Sequence, residues 1–297
     1  MPKPTTSPTT EVSEVRAIEP HPTKSGLRLV SVDRGGVEQR VVCGASNVPA
    51  PGGRVLLAPL GTVIPGLGPL TPREIGGVAS EGMLVSEEEL GLSSESDGII
   101  VLDASVGVPG AKLFDVFPEA RDSIFHVGVT PNRPDALGHL GVARDVAALF
   151  GVEFSAPEPS AIARWSDESL EKLVSVENLD LERCPHYGAA VVLDVIIAPS
   201  PAWLRWRLHK LGVRPINNVV DITNLVLLGW GQPMHAFDLD RVRGGRVVVR
   251  RARNDEPFTT LDGVARQLDA DDLVICDAEG PSALAGVMGG QDSEIKD

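Results

Sequence analysis

The 297-residue sequence is poor in cysteine and in aromatic side chains, which make up 4% of the chain. The three cysteines, Cys43, Cys184 and Cys276, are odd in number and form no Cys-x-x-Cys pair. A disulfide framework or a zinc site is therefore not expected, and a reducing compartment fits this cysteine usage better.

Long apolar runs are also missing. No stretch reaches the roughly 18 apolar residues that a membrane-spanning helix needs. The N-terminus, MPKPTTSPTTEV, lacks the apolar core of a signal peptide. We therefore expect a soluble, unexported protein of the cytoplasm.

Positive charge is in deficit. The chain has 27 Lys and Arg residues against 41 Asp and Glu residues, which gives a formal net charge of −14. This balance argues against non-specific binding to nucleic acid, because neutralising phosphates needs clustered Lys and Arg. It leaves open an RNA partner that is contacted by a few local basic residues.

The common catalytic and phosphate-binding signatures do not occur. There is no HExxH, GxSxG, GxGxxG or P-loop pattern. The adjacent pair Gly289-Gly290 allows either close approach of the backbone to a ligand or a tight turn. Spacing alone does not choose between these two interpretations.

The first half of the chain alternates short apolar runs with turn residues. Residues 1–10 are mostly Pro, Thr and Ser and are predicted to be disordered. From 11 to 125, runs such as RVLL and GIIVLD predict short strands of a small barrel or sandwich. Within this half, SEEELGL predicts a helical turn capped by Ser86.

The second half mixes helices with strands. A helix is predicted to end at Gly151, and the proline-rich segment 155–165 is interpreted as a linker. A second helix is predicted over 200–212 with Ser200 as its N-cap, and a third from Asn218 to about Leu228. Later runs predict strands, including a hairpin that turns at Asp262-Gly263.

Two features of the segment NNVVDITNLVLLGWGQPMHAFDLD are candidates for function. Asn217, Asp221 and Asn224, with Thr223 beside them, share one face of a mostly apolar helix. They form either an internal hydrogen-bond network or a wall that faces a ligand. His235 follows a rigid Gln-Pro step and is either a packed core histidine or a ligand contact.

Five segments occur in an order that resembles the β subunit of bacterial phenylalanyl-tRNA synthetases. In chain order they are EPHPTKSGLRLVSVD followed by VVCGASNV, GGVASEGMLVSEEELGL, TPNRPDALGHLGVARDVAAL, RPINNVVDITNLVLLGWGQPMHAFDLD and LAGVMGGQDSE. The resemblance extends from about residue 11 to residue 297. It implies a multi-domain α+β fold, with an OB-fold tRNA-binding-type domain over 11–125, the second half of a small discontinuous domain and a linker over 126–165, and an incomplete editing module over 170–297.

The resemblance also implies a function. In this family the α subunit charges tRNA(Phe) with phenylalanine, using ATP and Mg²⁺, within an (αβ)₂ assembly. The β subunit contacts tRNA and hydrolyses Tyr-tRNA(Phe) that is made in error. We therefore expect tRNA(Phe) and the α subunit as partners, no membrane or DNA partner, and no cofactor or metal bound by this chain itself.

By position, the resemblance assigns roles to individual residues. His235, Thr223 and Asn224 match positions that place the ester and the attacking water in the editing pocket, and Arg214 and Pro233 match further pocket positions. Gly289 matches a backbone contact to the tyrosine side chain. Asn217 and Asp221 keep the structural interpretation. Lys24 and Arg28 are the candidate tRNA contacts.

The sequence departs from the family pattern in several places. Ser46 stands where proline is usual, and Val85 where cysteine is common. The glutamate that recognises the tyrosine hydroxyl lies beyond Asp297 in the family pattern, so we expect the isolated chain to lack editing activity. The alternative functions are a stand-alone tRNA-binding module without catalysis and a hydrolase that edits aminoacyl-tRNA in trans.

Overall fold

The computed structural model describes residues 9–93, 96–158 and 167–291. The strands are β1 Glu11–Pro20, β2 Arg28–Asp33, β3 Glu38–Cys43, β4 Arg54–Pro59, β5 Val63–Ile64, β6 Gly68–Pro69, β7 Arg73–Ile75, β8 Val78–Ser80, β9 Gly82–Leu84, β10 Val101–Leu102, β11 Ser175–Asn178, β12 Arg246–Arg251, β13 Glu256–Thr259, β14 Ala265–Leu268, β15 Leu273–Cys276, β16 Pro281–Leu284 and β17 Met288–Gly289. The α-helices are α1 Leu113–Val116, α2 His139–Phe150, α3 Leu170–Leu173, α4 Ala202–Lys210 and α5 Asn218–Trp230.

The chain divides into two compact units. The first contains residues 1–127 together with 200–215, and the second contains 128–199 together with 216–297. The predicted disordered segment lies outside the described residues except for Thr9 and Thr10, and Thr10 is fully buried. The predicted linker 155–165 lies largely outside them as well.

The first unit is built on a six-stranded antiparallel sheet. Its strand order is β10-β4-β1-β2-β3, and β9 also pairs with β4. Strand β1 is long enough to pair with β4 through Glu11–Glu14 and with β2 through Glu14–Pro20. A register shift between Val15 and Ala17 separates most of the β2 pairing from the β4 pairing.

Strand β4 is buried on both faces, which explains its uninterrupted apolar sequence. Leu56 and Ala58 belong to one hydrophobic cluster, and Val55 and Leu57 belong to another. Since successive side chains of a strand point to opposite faces, the sheet carries apolar packing on each side.

Helix α4 belongs to the first unit although it lies far along the chain. Its Trp206 is fully buried in the cluster that contains Leu56, and its ring meets Phe117 edge-on at 4.9 Å. Arg205 pairs with the nearly buried Glu87 at 2.6 Å. The predicted helix is confirmed, but the predicted N-cap is wrong. Pro201 occupies the N-cap position without a side-chain bond, because the helix begins one residue later than expected.

The second unit contains a five-stranded sheet of order β11-β12-β15-β16-β17, in which only the β11–β12 pair is parallel among the described strands. Strands β13 and β14 form a separate antiparallel hairpin. The hairpin predicted around Asp262-Gly263 is confirmed, and Gly263 has the positive φ of 77° that this turn requires.

Helices α2 and α5 pack together in the second unit, and His139 Nδ1 lies 2.7 Å from the carbonyl oxygen of Leu228. Each ends at a glycine in the left-handed conformation, Gly151 and Gly231. The predicted end of α2 at Gly151 is confirmed, and α5 extends two residues beyond the predicted Leu228.

The predicted α+β class is confirmed in its coarse form: the structure combines mostly antiparallel sheets with a few helices. In the described part of the chain, no helix is both long enough and apolar enough to cross a membrane.

Candidate functional site

His235 and Gly289 meet in the second unit, although 54 positions separate them in the sequence. An ideal β-carbon at residue 289 would lie 2.7 Å from His235 Cε1 and 3.0 Å from Nε2. Real β-carbons essentially never approach other atoms within 3.0 Å. Glycine at 289 is therefore what leaves space for the imidazole, and two residues of the predicted pocket are brought together.

The surroundings of His235 favour its neutral form. Its ring meets Phe237 edge-on, with 4.5 Å between the ring centroids. Desolvation by the packed atoms lowers the pKa of His235 below the ordinary 6.5. The residue is nevertheless exposed on its open side. The imidazole is therefore neutral near pH 7 and able to accept a hydrogen bond.

Gly289 is held in place by backbone bonds. Its carbonyl accepts a hydrogen bond from Leu261 N at 3.0 Å, and the neighbouring Gly290 N donates to Ser282 O at 2.8 Å. A β-carbon at Gly290 would lie 2.8 Å from both Phe258 Cε2 and Ser282 O. The absence of side chains at Gly289 and Gly290 therefore allows His235 to pack against the first and Phe258 against the second.

Two polar residues at the start of α5, Asn217 and Asp221, make hydrogen bonds that stabilise the helix and its N-terminus. Asn217 caps the helix by accepting a hydrogen bond from Val220 N at 3.0 Å. Asp221 is buried and accepts from Ile216 N at 2.8 Å. The structural interpretation of these two residues is confirmed.

Thr223 and Asn224 follow on the same helix. The Thr223 hydroxyl donates to Val220 O at 2.7 Å, one turn earlier in the helix. Asn224 is half-buried, and its side chain has no hydrogen bond to the described residues. No recorded hydrogen bond joins either residue to His235 within the described ranges. Their placement in a pocket stays a prediction.

Arg214 and Pro233 are both exposed. Arg214 falls in the segment 200–215 of the first unit, whereas Pro233 belongs to the second unit with His235. In the described residues, Arg214 has no ion pair. The roles predicted for these two residues stay predictions.

A cleft of about 610 Å³ lies in the second unit, and its lining includes Phe237 and Gly290 but neither His235 nor Gly289. Phe237, Phe258 and Gly290 line it together with charged residues, including Arg253 and Asp255. Sequence reasoning missed both phenylalanines. Phe237 could have been found from its spacing, because it follows His235 by two residues in the segment HAFD.

One wall of the cleft is fixed by a bidentate ion pair. Arg250 donates to the two carboxylate oxygens of Glu256 at 2.9 Å and 2.7 Å. This hydrogen bonding to Arg250 lowers the pKa of Glu256. The pair ties β12 to the start of β13, which carries Phe258.

The candidate tRNA contacts lie in the first unit. Lys24 is exposed on the loop after β1, and Arg28 begins β2 and is half-buried. Among the residues that the structure describes, neither side chain has an ion pair, and no group of three or more His, Cys, Asp or Glu side chains is arranged to hold a metal ion.

Two family models match the chain. The model described as "Putative tRNA binding domain" matches residues 10–111, and the model described as "B3/4 domain" matches residues 183–297. A solved structure titled "Crystal structure of MetRS related protein from Pyrococcus horikoshii" is 22% identical and covers 35% of this chain and 87% of its own, with a TM-score of 0.25.

Similarity to curated proteins extends over nearly the whole chain. The phenylalanine–tRNA ligase β subunit of Syntrophotalea carbinolica is 46% identical over 279 residues, which are 94% of this chain and 34% of that protein. The β subunit of Anaeromyxobacter dehalogenans is 47% identical over 284 residues, which are 95% of this chain and 35% of that protein. The chain spans about a third of the length of these relatives. Identity of this extent, with both domain models inside it, shows that the chain belongs to the phenylalanine–tRNA ligase β-subunit family.

Proposed function

We propose that this chain contributes tRNA binding and one wall of a hydrolytic editing pocket to a phenylalanine–tRNA ligase. In this proposal the α subunit forms Phe-tRNA(Phe) with ATP and Mg²⁺ in an (αβ)₂ assembly. The chain supplies part of the site that hydrolyses Tyr-tRNA(Phe). The observation that carries the proposal is the contact between His235 and Gly289, two positions that the family resemblance assigns to one pocket.

The finer assignment of domains belongs to the same proposal. The six-stranded sheet of the first unit serves as the OB-fold tRNA-binding-type domain, and the second unit contains most of the editing module. The match of a tRNA-binding model to residues 10–111 supports the first assignment. The match of a B3/4 model to 183–297 supports the second, and also disfavours a tRNA-binding module alone.

A second site is needed because a single binding pocket has limited selectivity for phenylalanine over tyrosine. A pocket shaped for the apolar phenylalanine ring rejects an isostere that bears one extra hydroxyl by only about 10²-fold. A separate site that hydrogen-bonds the hydroxyl loses those bonds when phenylalanine enters. The cleft of about 610 Å³ that Phe237 and Gly290 line has the size of a small-ligand site, which is sufficient for an aminoacyl group.

The chemistry of the proposed wall follows from its side chains. The neutral imidazole of His235 accepts a hydrogen bond from the attacking water and so orients it towards the ester carbonyl. Within the described residues the Asn224 side chain makes no hydrogen bond, so its amide is available to the ester, and Thr223 lies beside it on α5. Gly289 lets the backbone approach the tyrosine ring closely.

A chimeric ligase tests the proposal. This chain replaces the matched third of the S. carbinolica β subunit, and the product is co-expressed with the α subunit of that organism. We expect the chimera to charge tRNA(Phe) and to deacylate Tyr-tRNA(Phe) faster than Phe-tRNA(Phe). A chimera that assembles and charges tRNA but deacylates neither substrate would overturn the editing role. A folded chimera that neither binds nor charges tRNA would overturn the ligase role.

A further inference from the structure

A buried histidine ties two loops of the first unit together. His21 is only 7% exposed, and its Nε2 lies 2.8 Å from Ile75 O in the β7–β8 hairpin. Its Nδ1 accepts hydrogen bonds from the backbone N–H groups of Thr23 and Lys24, at 3.2 Å and 3.1 Å. Because Nδ1 is an acceptor, the proton lies on Nε2 and is donated to Ile75 O.

The same loop touches the hairpin at a second point. The Thr23 hydroxyl donates to Gly76 O at 2.8 Å. A β-carbon at Gly76 would lie 2.7 Å from His21 Cε1 and 2.9 Å from Lys24 Cγ. The aliphatic part of Lys24 therefore lies against the hairpin turn, which holds the start of the side chain in place. Its exposed ammonium group extends away from the turn.

Two further cations flank this junction. Arg28 stands opposite Cys43 at the start of the β2–β3 pair, and Arg73 stands opposite Ser80 in the hairpin. The Ser80 hydroxyl accepts a hydrogen bond from Val42 N, next to Cys43, at 3.0 Å. Arg28 in β2 and Arg73 in the separate β7–β8 hairpin are therefore both close to the junction that carries Lys24.

These three cations differ from other cations of the first unit. Within the described residues, none of the three has a carboxylate within ion-pair distance. By contrast, Arg16 pairs with Asp33 and Arg40 pairs with Glu19. Glu74 is adjacent to Arg73 but points to the opposite face of the hairpin, because side chains alternate along a strand.

We infer that Lys24, Arg28 and Arg73 form a phosphate-binding surface for the backbone of tRNA, with His21 as the residue that positions Lys24. The surface is small, which reconciles RNA binding with a net charge of −14. Arg73 lies about 10 Å along the hairpin strand from Gly76, against which the Lys24 side chain lies. The inference rests on the proposed tRNA-binding function and specifies where the backbone is contacted.

Salt-dependent binding tests the surface. The affinity of the 297-residue chain for a tRNA(Phe) transcript is measured at several salt concentrations, for the unaltered chain and for Lys24→Gln, Arg28→Gln, Arg73→Gln and the triple variant. Each phosphate contact contributes about 0.7 to 0.9 to the slope of log K against log salt. We expect each single variant to reduce the slope by nearly one, and the triple variant by about two to three.

The matched control is Arg40→Gln, which changes the net charge equally but removes a cation already paired with Glu19. It should leave the slope unchanged. If the unaltered chain does not bind the transcript, the proposed tRNA-binding function itself fails. If it binds and the triple variant has the same slope, only the inferred surface fails.

A double-mutant cycle tests the positioning role of His21. His21→Leu should reduce the slope by nearly one in the unaltered chain and by nothing in the Lys24→Gln background, because it acts through Lys24. Thr23→Val weakens the same junction more mildly. It replaces His21→Leu in the cycle if circular dichroism shows that His21→Leu does not fold. Equal effects of the substitution in both backgrounds would contradict the positioning role.

Discussion

The imidazole of His235 occupies the space that a side chain at residue 289 would need, so the two residues are sterically coupled. Gly289 is fixed by its strand and by Leu261 N, whereas His235 lies on an irregular segment between α5 and β12. The glycine therefore determines where the imidazole lies, and the imidazole has less influence on the position of the glycine backbone. This coupling leads to the first prediction.

Gly289→Ala should displace His235 without unfolding the second unit. The nearest atoms to the new methyl group belong to the His235 ring and to Leu261 Cδ1, at 3.1 Å, and both are side chains that can move. We expect a loss of stability of about 1 kcal/mol and a fall in Tyr-tRNA(Phe) deacylation by the chimeric ligase of at least tenfold, on the order expected for a misplaced catalytic group. Gly128→Ala is the control, since a β-carbon there meets nothing within 4 Å and the residue lies outside the cleft. Equal deacylation by the two variants would contradict the coupling.

The pKa of His235 should lie below 6.5, because burial disfavours the imidazolium. The folded state then binds fewer protons than the unfolded state between the two pKa values. Stability contributed by this residue is therefore present above about pH 6.5 and falls as the pH drops below that value. An NMR titration of the histidine Cε1 protons, assigned with His235→Asn, measures the pKa directly. A value above 6.5 would refute the prediction.

Trp206→Ala should destabilise the first unit by about 3–5 kcal/mol, because it empties a fully buried aromatic site next to Phe117. Trp203→Ala is the control on the same helix, since Trp203 is 39% exposed. Trp203→Ala should lower the free energy of unfolding by much less than Trp206→Ala. Urea unfolding followed by circular dichroism compares the two, and similar losses for both variants would show that α4 is not anchored through Trp206.

Glu11→Gln should also destabilise the first unit. The Glu11 carboxylate is 3% exposed and joins Arg34, which follows β2, to Lys112 at 2.7 Å. Neutralising one partner of a largely buried ion network costs about 1–3 kcal/mol. Glu19→Gln removes the exposed pair with Arg40 and should cost no more than about 1 kcal/mol. Thermal unfolding of both variants gives the comparison, and an equal shift in Tm would contradict a special role for Glu11.

Local features were accessible from the sequence. Asn217 caps α5, Gly151 ends α2, and Ser86 and Glu89 exchange capping hydrogen bonds, with Ser86 N donating to the Glu89 carboxylate at 2.7 Å. These outcomes depend on residues within one turn of each other. Their side-chain chemistry therefore decides them without reference to the rest of the fold.

Features set by distant contacts were not accessible from periodicity. Nothing in the α4 sequence indicates that Trp206 is buried in the core of a unit formed mainly by residues 1–127. The cleft beside Phe258 likewise arises from segments far apart in the chain. The meeting of His235 with Gly289 was expected only from the family resemblance, since spacing left both residues with structural alternatives.

The central claim is that His235 works in an editing wall, and deacylation of Tyr-tRNA(Phe) by the chimeric ligase carrying His235→Ala tests it most directly. The account predicts a fall of about 10²-fold in the deacylation rate, because the water loses its orienting acceptor. The rate of charging with phenylalanine should be unchanged, because the proposed function assigns that reaction to the α subunit. Deacylation equal to that of the unaltered chimera would contradict the account.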